Sequence, residues 1–416
     1  MERFLSFFSY KSVIFCILAG IGFLTYMNVF DGTFLYDDRN LIQENVYIRS
    51  FSYIKEIFSS GVSAGAGNGE SNLYRPFVNF VHMLLYNFFD QDVRAFHILN
   101  VIIHIFNAFF VFLLVRILRF SVVGAGFSAL LFLLHPVQTE AVSYMAGLPD
   151  VLVTFFILGG ILLFHRALVE ERRSYARIQL GLVFLIYVLA LLTKEYAVVA
   201  FPLATLLAWF YRDKLGGMKR KQCLPVLIGL AVVTGLYLVL KFTVFTFSDS
   251  IGLVTNEGRY TQDIFIRFTS FMRAMWEYLV LIFYPRDLYF IKPPLAYSYL
   301  GWQGWIGLFT MAGGGIIAWL VRRSTPTLTF AYLWFFIALF PVSGIVIPVN
   351  AIYFEHWMYL PIVAVGITVA LLYDSLNARF AKWAFVVLFI IALSLFAYRT
   401  IERNKEWADP VLFYER

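Results

Sequence analysis

The sequence has 416 residues, of which 61% are apolar, 19% aromatic and only 14% charged, with a formal net charge of +7. A soluble domain carries about a quarter charged residues, so this composition excludes a soluble globule and describes a polytopic membrane protein. The basic excess forms no stripe with interleaved aromatics, so nucleic acid is not an expected partner.

A helix needs about 20 mostly apolar residues to cross about 30 Å of hydrocarbon. Spans are expected near 12–30, 95–115, 120–135, 148–166, 178–194, 197–211, 224–245, 302–321, 328–347, 355–373 and 382–399, about eleven in all. The first has a basic flank (Arg3, Lys11) and no small-residue cleavage site before Asp31, and it reads as a retained signal anchor. Lys and Arg then cluster in alternate gaps: Arg116/Arg119, Arg166–Arg177, Arg212–Lys221, Arg322/Arg323 and Arg379/Lys382. By the positive-inside rule these gaps and the N-terminus face the cytoplasm. Segments 31–94, 135–147, 246–301 and 348–354 then lie outside, as does the tail at 401–416 beyond a transmembrane domain of residues 1–400. The stretch 264–284 carries Arg267, Arg273 and Glu277, and a crossing there would reverse the charge bias downstream, so it is expected to be interfacial or re-entrant. Cys16 and Cys223 have no partner spacing and make neither a disulfide framework nor a zinc site.

The outer segments hold the polar chemistry. In FDGTFLYDDRNLIQ, Asp37 and Asp38 follow the first span by about one turn; such a pair either caps the next helix or supplies a general base to a lipid-borne substrate. Further on, LIQENVYIRSFSYIKEIF gives short amphipathic pieces, and in GVSAGAGNGES glycine and serine favour flexibility. In YRPFVNF, Arg75 has a stiff base before Pro76 from which to reach a phosphate. His97, Asn100 and His104 share one face of the second span, a polar stripe that must point inward and commonly joins helices. In LLHPVQTEAVSYMAGLPD, His135, Thr139, Glu140 and Asp150 surround a broken turn, and irregular backbone at a membrane face is tolerated where it is buried or lines a cavity. Lys194 and Glu195 sit together between two spans, either as a self-neutralising pair or as a cation for a lipid phosphate. The aromatic and cationic strip FYPRDLYFIKPP is either an interfacial belt or the wall of a groove for a phosphate and a sugar. Glu355 and His356 open the late span in YFEHWMYLP. Together these suit a transferase taking a sugar from a polyprenyl phosphate, with a carboxylate base and cations for the departing phosphate.

These motifs in order resemble the GT-C superfamily of membrane glycosyltransferases, most nearly the transmembrane-and-TPR O-mannosyltransferases and their bacterial relatives. The resemblance is carried by FLYDDRNLIQEN, YRPFVNF, FHILNVIIHIFNAFFVFLL, LLFLLHPVQTEAVSYMAGLPDVL, LLTKEYAVV, FYPRDL, YFEHWMYLP and TIERNKEWADPVLF, with HPVQTEAV and the KE span the most specific. It implies an all-α, GT-C-like bundle of about eleven spans whose outer loops carry short amphipathic helices. It also implies a polyprenyl-phosphate sugar donor and a site facing the periplasm from a bacterial inner membrane. Asp37 and Asp38 become the catalytic pair, with Asp37 as base and Asp38 orienting the acceptor, or binding a divalent ion such as magnesium or manganese if one is used. Arg75, Lys194 and Arg286 become candidates for the donor phosphate, and His104, His135, Glu140, Glu195, Glu355 and His356 shape the site.

The relatives continue from the RNxxW segment into tetratricopeptide repeats, whereas this sequence ends at Arg416 with none, so the acceptor stays open between protein, lipid and glycan. His356 stands where these relatives more usually carry arginine, which weakens a donor-phosphate role there. The partners expected are thus the lipid-linked donor, one such acceptor and the membrane lipids. Two other classes remain: a transporter or flippase, disfavoured by charges that gather in outer loops with no internal repeat, and an inactive scaffold of the same fold.

Overall fold

The computed structural model describes residues 2–67, 72–170, 172–213, 217–246, 259–286, 288–290, 297–349 and 351–415. Among these the chain forms helices joined by turns, with no strand. The principal helices are α1 (Glu2–Tyr26), α2 (Pro76–Phe89), α3 (Val93–Ile117), α4 (Val122–Leu134), α5 (Leu148–Val169), α6 (Arg173–Thr193) and α7 (Ala200–Tyr211). They continue with α8 (Gly217–Thr243), α9 (Ile264–Phe283), α10 (Gly301–Val321), α11 (Pro326–Leu339), α12 (Ile362–Ser375) and α13 (Arg379–Ala408). Among the described residues, seven helices are long and apolar enough to cross a membrane, and an eighth joins them if α4 is counted with its bent continuation to Val142. Three shorter apolar helices end at Tyr211, Val342 and Ser375. Each expected span falls on one of these helices, and the chain is an integral, multi-pass membrane protein.

The apolar windows of α3 and α5 are each 61% buried while that of α13 is 6% buried, so the first two form the centre of the bundle and α13 its rim. Close approach rests on small residues. Ser128 Oγ on α4 donates to the Gly366 carbonyl on α12 at 2.6 Å, and a Cβ at Gly366 would crowd Ser128 at 3.2 Å. A Cβ at Gly307 on α10 would lie 1.9 Å from the Met272 carbonyl on α9. Polar clamps finish the centre. His104 Nε2 faces only the Leu133 carbonyl, 3.1 Å away, so it carries the proton and Nδ1 accepts from Tyr359 Oη at 2.7 Å. Asn107 donates to the same Tyr359 oxygen at 3.1 Å and to the Val151 carbonyl at 2.8 Å.

The helices stop short at the end that the basic loops mark as outer. Past Leu134 the chain bends by 51° at His135 and resumes as Thr139–Val142. The α7 helix starts only after a tight turn at Glu195–Val199, α11 gives way at Phe340–Val342, and α12 begins after a turn at His356–Met358. Expected spans 328–347 and 355–373 are shortened accordingly, because Pro341 and Pro361 mark the helix ends. Irregular backbone at a membrane face is tolerated where it is buried in protein, as His135, Gln138, Thr139 and Glu140 are.

Two outer features differ from expectation. The flexible loop at 61–67 is packed: Asn45 Nδ2 donates to the Val62 carbonyl at 3.3 Å, and Gly65 sits where a Cβ would come within 2.1 Å of Asn45 Oδ1. Residues 68–71 of that loop lie outside the described residues. The α13 helix runs unbroken across position 400 to Ala408, and a short helix Pro410–Tyr414 follows. Its polar end is buried, so hydropathy marked where the span ends and not where the helix does. The stretch 264–284 is the helix α9, which lacks the hydropathy of a span. It packs across outer positions: Arg267 Nε donates to the Ile345 carbonyl at 3.1 Å, and His135 Nε2 donates to the Ile282 carbonyl at 3.0 Å.

Candidate active site

The acidic pair is built by a strained turn. Tyr36 has φ +41°, a left-handed conformation unusual for a tyrosine. It is held by Asp38, whose Oδ2 accepts from the Leu35 amide at 2.9 Å while its own amide donates to the Leu35 carbonyl at 2.8 Å. Asp38 Oδ1 accepts from the Ala146 amide at 2.7 Å, tying outer segment 31–94 to the turn before α5. Asp38 is 1% exposed, with both oxygens committed to backbone amides. Asp37 points the other way and is exposed. Its amide donates to Tyr144 Oη at 2.8 Å, and the Tyr144 hydroxyl donates in turn to its carboxylate.

The two carboxyls therefore titrate for different reasons. Asp37 lies in a crowded recess that thins the water around it, and this desolvation raises its carboxyl above the usual range. The Tyr144 hydrogen bond and the charges of Arg75 and His356 pull it back. Burial pushes Asp38 well above its ordinary value despite the two amides, and the Asp37 charge adds to that rise. Burial also raises the Tyr144 phenol, as do the charges of Asp38 and Asp37, so it stays protonated as a donor.

Tyr144 is itself held by an aromatic block. Its ring stacks on Trp407 at 5.2 Å and meets Phe290 edge-on at 5.4 Å, while Tyr36 meets the same Phe290 at 5.2 Å. Trp407 belongs to the buried end of α13. There Asn404 donates to the Thr25 carbonyl at 2.9 Å and to Asn28 Oδ1 at 3.1 Å, and accepts from Ser143 Oγ at 2.7 Å. Arg403 pairs with Glu406 and lies 4.0 Å from Glu355. The RNxxW segment is thus a strap across the bundle that ends beneath the acidic turn.

Around Asp37 the broken helix ends supply the other charges. Arg75 occupies the position just before α2 and Pro76, and its Nε lies 3.1 Å from Glu195. Lys194 pairs with Asp150 at 2.6 Å. Lys241, at the end of α8, is within electrostatic reach of Glu195 and Arg75 and donates to the Asn72 carbonyl at 2.7 Å. The His356 amide donates to Glu140 Oε2 at 2.9 Å, and its Nδ1 to Oε1 at 2.8 Å. Of the expected residues, Asp37, Arg75, Lys194, Glu195, Glu140 and His356 come together. Arg286 is exposed at the edge, 5.6 Å from the Tyr284 ring, on the strip whose Phe290 joins the aromatic block. His104 and His135 sit inside the bundle holding backbone carbonyls, and Glu355 is buried beside Arg403. Tyr144, Lys241, Arg403, Asn404 and Trp407 were not singled out as site residues in the sequence; Tyr144 and the last three lie within the strings that carry the family resemblance, and Lys241 gave no signal at all.

The described residues supply Asp38 with no partner ligands for a divalent ion. Each of its oxygens already takes an amide, and among the described residues no group of three or more His, Cys, Asp or Glu side chains is placed to hold an ion.

The fold is GT-C-like. The crystal structure of ArnT from Cupriavidus metallidurans bound to undecaprenyl phosphate shares it with a TM-score of 0.52, covering 97% of this chain and 77% of that one at 13% identity. In sequence, the chain is 25% identical over 413 residues to a protein O-mannosyl-transferase of Caenorhabditis elegans, covering 96% of this chain and 56% of that protein. It is 22% identical over 443 residues to protein O-mannosyl-transferase TMTC3 of Homo sapiens, covering 96% of this chain and 46% of that protein. The chain spans about half the length of these relatives. No protein-family model matches it.

Proposed function

We propose that this chain is a membrane glycosyltransferase that moves a sugar from a polyprenyl-phosphate donor to a hydroxyl acceptor, with Asp37 as general base. One observation carries the assignment within the pair: Asp38 spends both oxygens on backbone amides, which leaves the exposed Asp37 carboxylate facing the charged recess. Similarity to the O-mannosyl-transferases and the fold shared with a protein bound to undecaprenyl phosphate support the substrate class.

Asp37 takes the proton of the acceptor hydroxyl as that oxygen bonds to the anomeric carbon. The bond from this carbon to the phosphate oxygen breaks, its electron pair goes to the phosphate, and polyprenyl phosphate departs. One accessible carboxylate supports a single displacement. A positioned base contributes roughly a hundred- to ten-thousand-fold. Arg75 acts on Asp37 directly, while Lys194 and Lys241 join the same charge network through Asp150 and Glu195. Arg75 and Lys194 rest on Glu195 and Asp150, so a donor phosphate would exchange one anionic partner for another. The positive-inside charge pattern supports a recess that faces the periplasm from a bacterial inner membrane.

Purified protein incubated with a panel of radiolabelled polyprenyl-phosphate sugars and membrane extract, with and without chelator, tests the reading. Label transferred to an acceptor with release of polyprenyl phosphate is expected from one donor, equally with chelator. Transport of an intact lipid-linked sugar across vesicles without its cleavage would support a flippase instead.

A further inference from the structure

Arg273 is a half-buried cation outside the site described. Arg273 on α9 donates from Nη2 to Gln303 Oε1 at 3.2 Å, and its guanidinium carbon sits 3.4 Å from the centre of the Tyr297 ring. Tyr297 is itself fixed, its amide donating to Ser270 Oγ at 2.9 Å. The guanidinium is therefore clamped on an edge and a face, yet its Nη1 is buried with no hydrogen-bond partner. No carboxylate pairs with it among the described residues, in contrast to Arg75, Lys194 and Arg403. The neighbouring Arg267 has no carboxylate partner among the described residues either, but it donates to the carbonyls of Tyr260, Thr261 and Ile345. A buried N–H left unmade is costly, and the acidic residue that lines the same space is Glu277, four residues further along α9.

Arg273 opens on a cavity of about 150 Å³, also lined by Glu277, Gln303 and Tyr353. A single water needs only about 10–15 Å³. A planar guanidinium with a spare N–H suits a phosphate oxygen. Beside Gln303, α10 carries Trp302, Trp305 and Phe309, exposed by 60%, 51% and 68%. Their spacing of three and four puts them on one helix face, and Trp302 packs edge-on against Trp276 of α9 at 5.0 Å. These side chains form an exposed apolar stripe along α10, the helix that also supplies Gln303 to the cavity.

We propose that this cavity binds the phosphate ester of a membrane lipid, with Arg273 as the phosphate-binding cation and the aromatic stripe of α10 as the bed for an acyl chain. It shares no lining residue with the acidic-pair site and is a second lipid site beside it.

Native mass spectrometry of the full-length protein in detergent, titrated with three probes, separates the contributions. Phosphatidic acid has phosphate and chains, diacylglycerol has chains alone, and glycerol 3-phosphate has phosphate alone. Phosphatidic acid is expected to bind at least about tenfold more tightly than either fragment, and Arg273→Gln to remove about that factor. Asp37→Asn is expected to keep the binding, so failure of the transferase reading would leave this result standing. Equal binding of phosphatidic acid to Arg273→Gln and wild type overturns the site; glycerol 3-phosphate binding as tightly as the lipid overturns its assignment to a lipid. A measurement on the wild type guards against misfolding of the variant. Phosphatidic acid should slow phenylglyoxal modification of Arg273, and an unchanged rate counts against the proposal.

Discussion

Asp37 and Asp38 are adjacent, and nothing in the letters DD says which one reacts. What separates them is the turn at Tyr36, which sends one carboxylate into backbone amides and the other into the recess. The presence of an acidic motif outside the first span was legible; the division of labour needed the fold, because the amide of Ala146 lies 108 residues from Asp38. Tyr144 gives a titration test. Its hydrogen bond lowers the Asp37 carboxyl, so Tyr144→Phe should raise it further. The base must be ionised to act, so the acid limb of the pH–rate profile should move to higher pH, with more activity lost at about pH 6 than at about pH 8. A limb that stays in place, or moves to lower pH, contradicts the contact.

At the scale of elements, the apolar helices were largely legible because hydropathy reports the solvent directly: the expected 95–115 lies within Val93–Ile117 and 302–321 matches Gly301–Val321. The end of α13 was not. TIERNKEWADPVLF is polar, so it reads as a tail, yet Arg403, Asn404 and Trp407 are buried because partners from α1, the 135–147 turn and Glu355 meet them. Trp407 touches Tyr144, and through it Asp37, without reaching the recess itself. Truncating a buried tryptophan costs about 3–5 kcal/mol. Trp407→Ala should therefore lower the melting temperature and the transfer rate together, while Trp407→Phe, which keeps the stack, should retain most of both. Full activity in Trp407→Ala would remove the strap from the account.

The molecule as a whole is a bundle whose central helices are closed by polar clamps and whose outer helix ends are left broken. Those breaks bring Asp37, Arg75, Lys194, Glu195, Glu140 and His356 into one recess from separate parts of the chain. Charge bias alone orients it, and accessibility to a membrane-impermeant maleimide checks the orientation. With Cys16 and Cys223 replaced, a cysteine at exposed Ser52 should react in intact cells with a permeabilised outer membrane, and one at exposed Arg323 only after lysis. The reverse pattern would put the recess in the cytoplasm.

The central claim is that Asp37 is the base and Asp38 its structural support. Sugar transfer and melting temperature measured side by side on purified Asp37→Asn and Asp38→Asn test it most directly. Asp37→Asn should melt like the wild type and lose roughly a hundredfold or more of its transfer rate. Asp38→Asn, which turns an amide N–H toward a buried donor, should lose about 1–3 kcal/mol of stability. Undiminished transfer by Asp37→Asn would contradict the account.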